Sequence, residues 1–192
     1  MRKAFLLLAF IVALLLPAFG QGQAPAAPRK IDNDFVHQQF GDQFTLLPDV
    51  PPSFGDLNSD GVEDVVIGAR CKNPMLDQGE HNYTVVDPLN DFFGYGDPRL
   101  TTTFSEGDPA LRGLVMLIIE GDGPEGWRSA TPKAKFVIVN LPFRTVSVRK
   151  FTMKKKKIEA IYVEEAGEMG DCSAVFFDGK KFRYVPMGGN MQ

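Results

Sequence analysis

Residues 54–69, FGDLNSDGVEDVVIGA, join an acidic loop to a short apolar strand. Four acidic residues fall within nine positions, and the whole stretch of 16 residues contains no Lys or Arg. The second half, VVIGA, is rich in β-branched side chains, which favour the extended conformation of a strand. Asp, Asn and Gly in the first half favour turns. The stretch therefore predicts a tight acidic turn that leads directly into a β-strand.

Several later segments are also short, apolar and bounded by turn residues. These segments are GLVMLIIE at 113–120, AKFVIVN at 134–140, RTVSVRKF at 144–151, IEAIYVEE at 158–165 and the pair SAVFF and KKFRYV within 173–185. Asp178-Gly179 separates the last pair and suits a type I′ hairpin turn. A short helix is predicted at 31–41, where Asp32 or Asp34 can cap the start and Gly41 the end. We therefore predict a mainly β fold of antiparallel sheets or a meander, either propeller-blade-like or a sandwich.

The first 20 residues have the features of a secretory signal peptide. The positive start MRK precedes an uncharged apolar run of 16 residues, and Ala18 and Gly20 suit a signal peptidase. That run is shorter than the roughly 20 residues that a spanning helix needs, which disfavours the alternative of an uncleaved anchor. We predict a signal peptide at 1–20, a flexible lead-in at 21–30 and a single β-rich domain at 31–192.

This leader predicts that the mature protein is secreted or periplasmic. The formal net charge of the chain is −3 at pH 7, which does not favour nucleic acid or anionic lipid as a partner. Beyond the leader, the sequence contains no segment that is long and apolar enough to span a membrane.

A long stretch at 70–112, called the excursion below, separates the first two predicted strands. Connections of this length are uncommon in a compact domain unless they are functional or disordered. The excursion carries five aromatic residues, and their apolar area argues for an ordered loop packed on the β core. We expect this aromatic-rich segment to form the contact surface for a binding partner.

Residues with side-chain oxygens alternate along the acidic loop. Hard cations such as Ca²⁺ take six to eight oxygen ligands, and alternate positions converge when a loop wraps a small ion. The predicted calcium ligands are the side chains of Asp56, Asn58, Asp60 and Asp64 and the carbonyl of Val62. The alternative is an acidic surface turn without a metal.

The strand that follows the loop distinguishes it from helical calcium motifs. The helix–loop–helix calcium hand needs a bidentate Glu at its twelfth position, and that position here is Ile67. FGDLNSDGVEDVVIGA instead resembles the FG-GAP or VCBS repeat, G-D-x-N-x-D-G-x-x-D followed by an apolar strand, which occurs in the propeller heads of integrin alpha chains. The resemblance implies that Ca²⁺ binds between strands of a blade, through the same five residues.

The two cysteines, Cys71 and Cys172, are an even pair in a chain with a predicted export signal. This pattern predicts a disulfide. Such a bridge would close a loop of about 100 residues and stabilise the fold by about 4–5 kcal/mol. The alternative is two separate buried thiols.

Binding fits these features better than catalysis does. The sequence has no G-x-S-x-G motif, and its two histidines, His37 and His81, match no zinc-site spacing. We predict a secreted calcium-binding β domain that acts as an interaction module for a protein or glycan ligand, with no catalytic residue assigned. The alternative is an extracytoplasmic hydrolase that uses acids of the excursion near the metal loop.

Overall fold

The computed structural model describes residues 30–95, 108–153, 155–166 and 171–189. The helices are α1 (Asn33–Phe40), α2 (Gln78–His81), α3 (Pro88–Phe92) and a 3-10 helix (Gly123–Arg128). The strands are β1 (Phe44–Leu46), β2 (Ser53–Gly55), β3 (Asp64–Cys71), β4 (Thr84–Val86), β5 (Leu114–Glu120), β6 (Ala134–Ile138), β7 (Phe143–Met153), β8 (Lys156–Glu165), β9 (Asp171–Phe177) and β10 (Phe182–Gly189). The predicted signal peptide and nearly all of the lead-in lie outside the described residues. Within these residues, no helix is long and apolar enough to cross a bilayer.

The predicted N-terminal helix is confirmed as α1. Asp32 caps it by accepting a hydrogen bond from the backbone N–H of Phe35 at 3.0 Å, and Gly41 ends it with φ of +96°. Phe35, Val36 and Phe40 form its buried face. This face packs on the apolar side of the larger sheet, so α1 covers the outer surface of that sheet.

Six strands form a mixed sheet, in which five follow the order β1-β3-β5-β6-β4 and the sixth, β2, also pairs with β3. β1 and β2 both pair with the same edge of β3, β2 near its start and β1 near its end. β4 pairs with β6 in parallel, whereas the other pairs in this sheet are antiparallel. The parallel pair departs from the predicted antiparallel arrangement, because β4 enters the sheet from the excursion and not through a hairpin.

The last four strands form an antiparallel meander in the order β10-β9-β8-β7. The hairpin predicted at Asp178-Gly179 joins β9 to β10. The N–H of Asp178 donates to the carbonyl of Lys181 at 3.1 Å, and Gly179 has φ of +96°. A positive φ is one that glycine adopts without strain, so the hairpin forms where the sequence predicts it. The turn is not of the predicted type I′, because its central residues are Gly179 and Lys180 and Lys180 has no positive φ.

The two sheets pack face to face, and the mainly β fold is confirmed as a sandwich. One core cluster lies between the sheets and includes Val66, Met116, Ile118, Val146, Ile161 and Val175. A second cluster, which contains Val65 and Ile67, lies between the larger sheet and α1. Successive residues of a strand point to opposite faces, so β3 is buried on both sides. This burial explains its unbroken apolar sequence.

The excursion is more regular than the predicted loop. Its described part contains α2, β4 and α3. Tyr83 is 3% exposed, and its ring lies edge-on to that of Phe44 at 5.6 Å between centroids. The buried ring of Tyr83 therefore anchors this segment to the β core. Residues 96–107 of the excursion lie outside the described residues.

The predicted disulfide between Cys71 and Cys172 is not formed, and both thiols are free and buried. Cys71 lies in the cluster beneath α1. Cys172 shares a face of β9 with Ala174 and Phe176, on the outer side of the four-stranded sheet. Both sheets lie between the two sulfur atoms. A disulfide requires Cα atoms within about 7 Å, whereas packed sheets are about 10 Å apart, so this fold does not permit the bridge.

Candidate metal centre

The acidic loop is closed by hydrogen bonds from its own backbone. Asp56 accepts hydrogen bonds from the N–H groups of Asp60 (Oδ1, 3.0 Å) and Gly61 (Oδ2, 2.9 Å). Asn58 Oδ1 also accepts from the N–H of Asp60 at 3.0 Å. Asp60 Oδ1 in turn accepts from the N–H of Val62 at 2.9 Å. These bonds bring four of the five predicted ligand residues into one compact turn.

Asp64, the fifth predicted ligand, connects this loop to the core. It is the first residue of β3, and its side chain is fully buried. Oδ2 accepts a hydrogen bond from the N–H of Leu57, and Oδ1 accepts one from the N–H of Gly121, both at 2.8 Å. Burial raises the pKa of Asp64 to about 7, against the opposing effect of these two hydrogen bonds.

Glu120 is a second buried carboxylate at this site, and the sequence analysis did not identify it. Val65 pairs with Ile119, so the antiparallel register places Glu120 beside Asp64 on the same face. Glu120 is 4% exposed, and burial raises its pKa. Its Oε1 atom and Asn58 Nδ2 are both buried and complete no hydrogen bond of good geometry among the described residues, although Asn58 lies near enough to Glu120 to oppose the larger effect of burial on the pKa of this carboxyl.

Lys133 supplies positive charge that the loop itself lacks. Its Nζ atom lies 2.7 Å from Asp60 Oδ2, and its backbone N–H donates to the carbonyl of Glu120 at 3.0 Å. Burial opposes ionisation of Asp60, but hydrogen bonds from Lys133 and the loop outweigh it, so the pKa of Asp60 lies below its usual value. Lys133 lies 69 residues beyond Asp64 in sequence, and only the sheet brings it to the loop.

Glu63, which has no predicted ligand role, attaches the loop to the 3-10 helix. Its Oε1 atom accepts hydrogen bonds from Trp127 Nε1 and from a guanidinium nitrogen of Arg128, both at 2.9 Å. Its carbonyl accepts from the N–H of Trp127 at 2.8 Å. Trp127 is 3% exposed and packs edge-on against Phe35, so the loop is joined to the core through this ring.

The loop therefore presents a dense set of oxygen atoms but no closed metal cage. In the described part of the chain, no group of three or more His, Cys, Asp and Glu side chains is arranged to hold a metal ion. The loop carboxylates bind backbone N–H groups and Lys133 instead. Closing them around an ion would require rotation of side chains that already lie in the same turn.

Three of the described acids of the excursion hold α3 and a nearby turn in place. Asp87 caps α3 by accepting from the N–H of Asn90 at 2.9 Å. Asp91 forms an ion pair with Lys181 at 2.7 Å, and Asp108 accepts from the N–H of Ala110 at 2.8 Å. These contacts hold α3 and a turn, and they do not extend to the acidic loop. They offer no support for the hydrolase alternative.

Three aromatic side chains of the excursion are exposed at and just after α3. The exposed fractions are 52% for Phe92, 63% for Phe93 and 68% for Tyr95. The ring of Phe92 packs against Tyr184 of β10, with 5.4 Å between centroids. We call Phe92, Phe93 and Tyr95 the aromatic surface.

Comparison of the chain with protein-family models, curated proteins and solved structures finds no match. The resemblance to FG-GAP repeats therefore depends on the loop and the strand that follows it.

Proposed function

We propose that this protein is an extracytoplasmic calcium-binding β domain that acts as a binding module for a protein or glycan. The ion would be held by the loop at 56–64, through the five residues predicted from the sequence. The observation that carries this proposal is the buried carboxylate pair, Asp64 and Glu120, beside a loop that supplies further oxygen atoms. A burial of this kind is costly unless each charge is paired or coordinates a metal.

The charge balance at this site favours a cation. Six carboxylates lie on or against the loop, and among the described residues basic side chains pair with only two of them, Lys133 with Asp60 and Arg128 with Glu63. The six belong to Asp56, Asp60, Glu63, Asp64, Glu120 and Glu159. Oxygen-only donors are typical of Ca²⁺ and Mg²⁺ sites and not of zinc or copper sites. Ca²⁺ fits better than Mg²⁺, because Ca²⁺ tolerates irregular geometry and many protein ligands.

Calcium would stabilise the fold in this proposal. An ion that binds the folded state alone contributes about 2.7 kcal/mol when its concentration is 100 times the dissociation constant. For a domain of this size, that energy raises the melting temperature by about 5–11 °C. The site joins β3, β5 and the 3-10 helix through Asp64 and Glu63, so the effect should appear in global unfolding.

The test is calorimetric titration of the protein expressed with its own leader and purified from the export compartment. Intact mass also shows whether cleavage follows Gly20. We expect Ca²⁺ to bind, Mg²⁺ to bind more weakly, and chelator to lower the melting temperature. The double substitution Asp56→Asn and Asp60→Asn should abolish binding. Asp42→Asn is the matched control, because the Asp42 side chain is 91% exposed. Absence of calcium binding at millimolar concentration would contradict the proposal.

The aromatic surface supports the binding role. Clusters of large exposed apolar side chains are uncommon unless they meet a partner. The triple substitution of Phe92, Phe93 and Tyr95 to Ser should remove retention on a glycan array or on purified extracellular proteins without changing the melting temperature by more than about 2 °C. A wild-type protein that binds no array component, or a triple variant that binds as well, would contradict this role.

A further inference from the structure

We infer that Lys133 is the internal cation of the metal-free loop, and that Ca²⁺ displaces it while Glu120 enters the coordination shell. The inference rests on the proposed function, and it identifies what regulates the same site. It adds a sixth ligand residue, Glu120 at the end of β5, and a competing cation, Lys133 just before β6, to the five ligand residues of the loop.

The position of Lys133 supports a competing role. Its ammonium group lies 2.7 Å from Asp60 Oδ2 and also interacts electrostatically with Glu120 and Asp64. These are three of the carboxylates that a bound ion would meet. Its backbone bond to the Glu120 carbonyl sets this position, because it continues the pairing of β5 with β6.

The surroundings of Glu120 support a ligand role. The residue is 4% exposed, and its Oε1 atom has no hydrogen-bond partner among the described residues. The amide nitrogen of Asn58 lies near this carboxyl and stabilises it in part, but the two groups complete no hydrogen bond of good geometry. An unpaired carboxylate oxygen in a buried site is costly, and coordination to a cation removes that cost.

Ligand number leads to the same assignment. The loop supplies five ligand residues, whereas Ca²⁺ takes six to eight oxygens. Glu120 supplies a sixth from outside the loop. Asp60 Oδ2 cannot hold an ammonium at 2.7 Å and face a metal at about 2.3–2.6 Å without strong repulsion between the two cations. The ion pair must therefore open, and the lysine can swing away because its side chain is 51% exposed.

The experiment is calcium titration calorimetry on Lys133→Gln, with Arg128→Gln as the matched control. Arg128 also contacts the loop, through Glu63, but it makes no contact with Asp60. Both variants remove one positive charge near the site. We expect Lys133→Gln to bind Ca²⁺ about tenfold more tightly than wild type, and Arg128→Gln to change the affinity by less than about threefold. Lys133→Gln should also melt at a lower temperature than wild type in chelator.

Glu120 is tested in the same way, with Asp122→Asn as its control. Asp122 is exposed and makes no side-chain cap, so this control removes a nearby negative charge alone. We expect Glu120→Gln to weaken binding at least about tenfold and the control to weaken it less than about threefold. If Glu120→Gln does not fold, Glu120→Asp tests the ligand role instead. This variant keeps the negative charge but moves the carboxylate back by one methylene, so it should also weaken binding.

The possible results separate the two proposals. A wild-type protein and a Lys133→Gln variant that both fail to bind Ca²⁺ overturn the calcium function itself. Equal calcium affinity in wild type and Lys133→Gln would overturn the displacement of Lys133 by Ca²⁺ but not the calcium function. An Arg128→Gln variant that gains as much affinity as Lys133→Gln would have the same consequence. Equal effects of Glu120→Gln and Asp122→Asn, or unchanged binding by a folded Glu120→Asp variant, overturn the ligand role of Glu120.

Discussion

Substitution of Gly121 by Ala tests the contact between the acidic loop and the 3-10 helix. A Cβ atom on Gly121 would lie 2.4 Å from the Glu63 carbonyl oxygen, 2.5 Å from the Gly126 carbonyl carbon and 2.7 Å from the Trp127 nitrogen. All three are backbone atoms, so no side-chain rotation relieves the clash. The loop and the 3-10 helix must move apart.

The structure sets the size of this effect. Ordinary contacts of a Cβ atom begin at 3.4 Å, so the two segments must separate by about 1 Å. The bond from the Trp127 N–H to the Glu63 carbonyl and the bond from the Gly121 N–H to Asp64, both at 2.8 Å, span this region. Overpacking costs about 1–3 kcal/mol, and one lost hydrogen bond adds about 1 kcal/mol. We expect Gly121→Ala to lower the free energy of unfolding by about 2–4 kcal/mol.

The assay is urea denaturation followed by circular dichroism and by the fluorescence of Trp127, the single tryptophan. Gly79→Ala is the matched control. A Cβ atom on Gly79 would meet nothing within 4 Å, and the residue lies in α2. This control should raise the free energy of unfolding by about 0.4–1 kcal/mol. A Gly121→Ala variant within about 0.5 kcal/mol of wild type would refute the packing argument.

Three further predictions concern other parts of the fold. In urea denaturation, Trp127→Ala should lower the free energy of unfolding by about 3–5 kcal/mol, because the side chain is buried. Trp127→Phe should lower it clearly less, because Phe keeps most of the buried ring, and equal losses in the two variants would contradict this account. The guanidinium of Arg183 lowers the pKa of Asp178 to about 2, so Asp178→Asn should cost about 1 kcal/mol at pH 7, after allowance for solvent screening. That difference should fade in melting curves as the pH drops from about 4 to 2, and a constant difference would exclude the ionic cause. Iodoacetamide should leave Cys71 and Cys172 unmodified in the folded protein and alkylate both after denaturation without reductant, whereas a disulfide would protect both.

Local features of the sequence were sufficient for much of the fold. Asp32 and Gly41 mark the ends of α1, and Asp178-Gly179 marks the last hairpin. Each of these signals acts between residues a few positions apart, so it can be recognised before the fold is known. The unbroken apolar run of β3 likewise predicts a strand.

The pairing of strands that lie far apart in sequence could not be predicted from such local signals. The parallel contact of β4 with β6 depends on the path of the excursion, which has no periodic signal. The cysteine prediction was wrong because an even count of cysteines, even in a chain with a predicted export signal, says nothing about the faces on which the residues lie. Cys71 and Cys172 belong to different layers of the sandwich.

The sequence by itself determined the composition of the acidic loop, its turn and the strand that follows, because all of these depend on neighbouring residues. Only the tertiary structure decided what surrounds the loop. The register of β3 with β5 places Glu120 beside Asp64, and the pairing of β5 with β6 brings Lys133 to Asp60. Since a charged group is stabilised by whichever partners the fold brings within a few ångströms, the balance of charge at this site depends on sheet register.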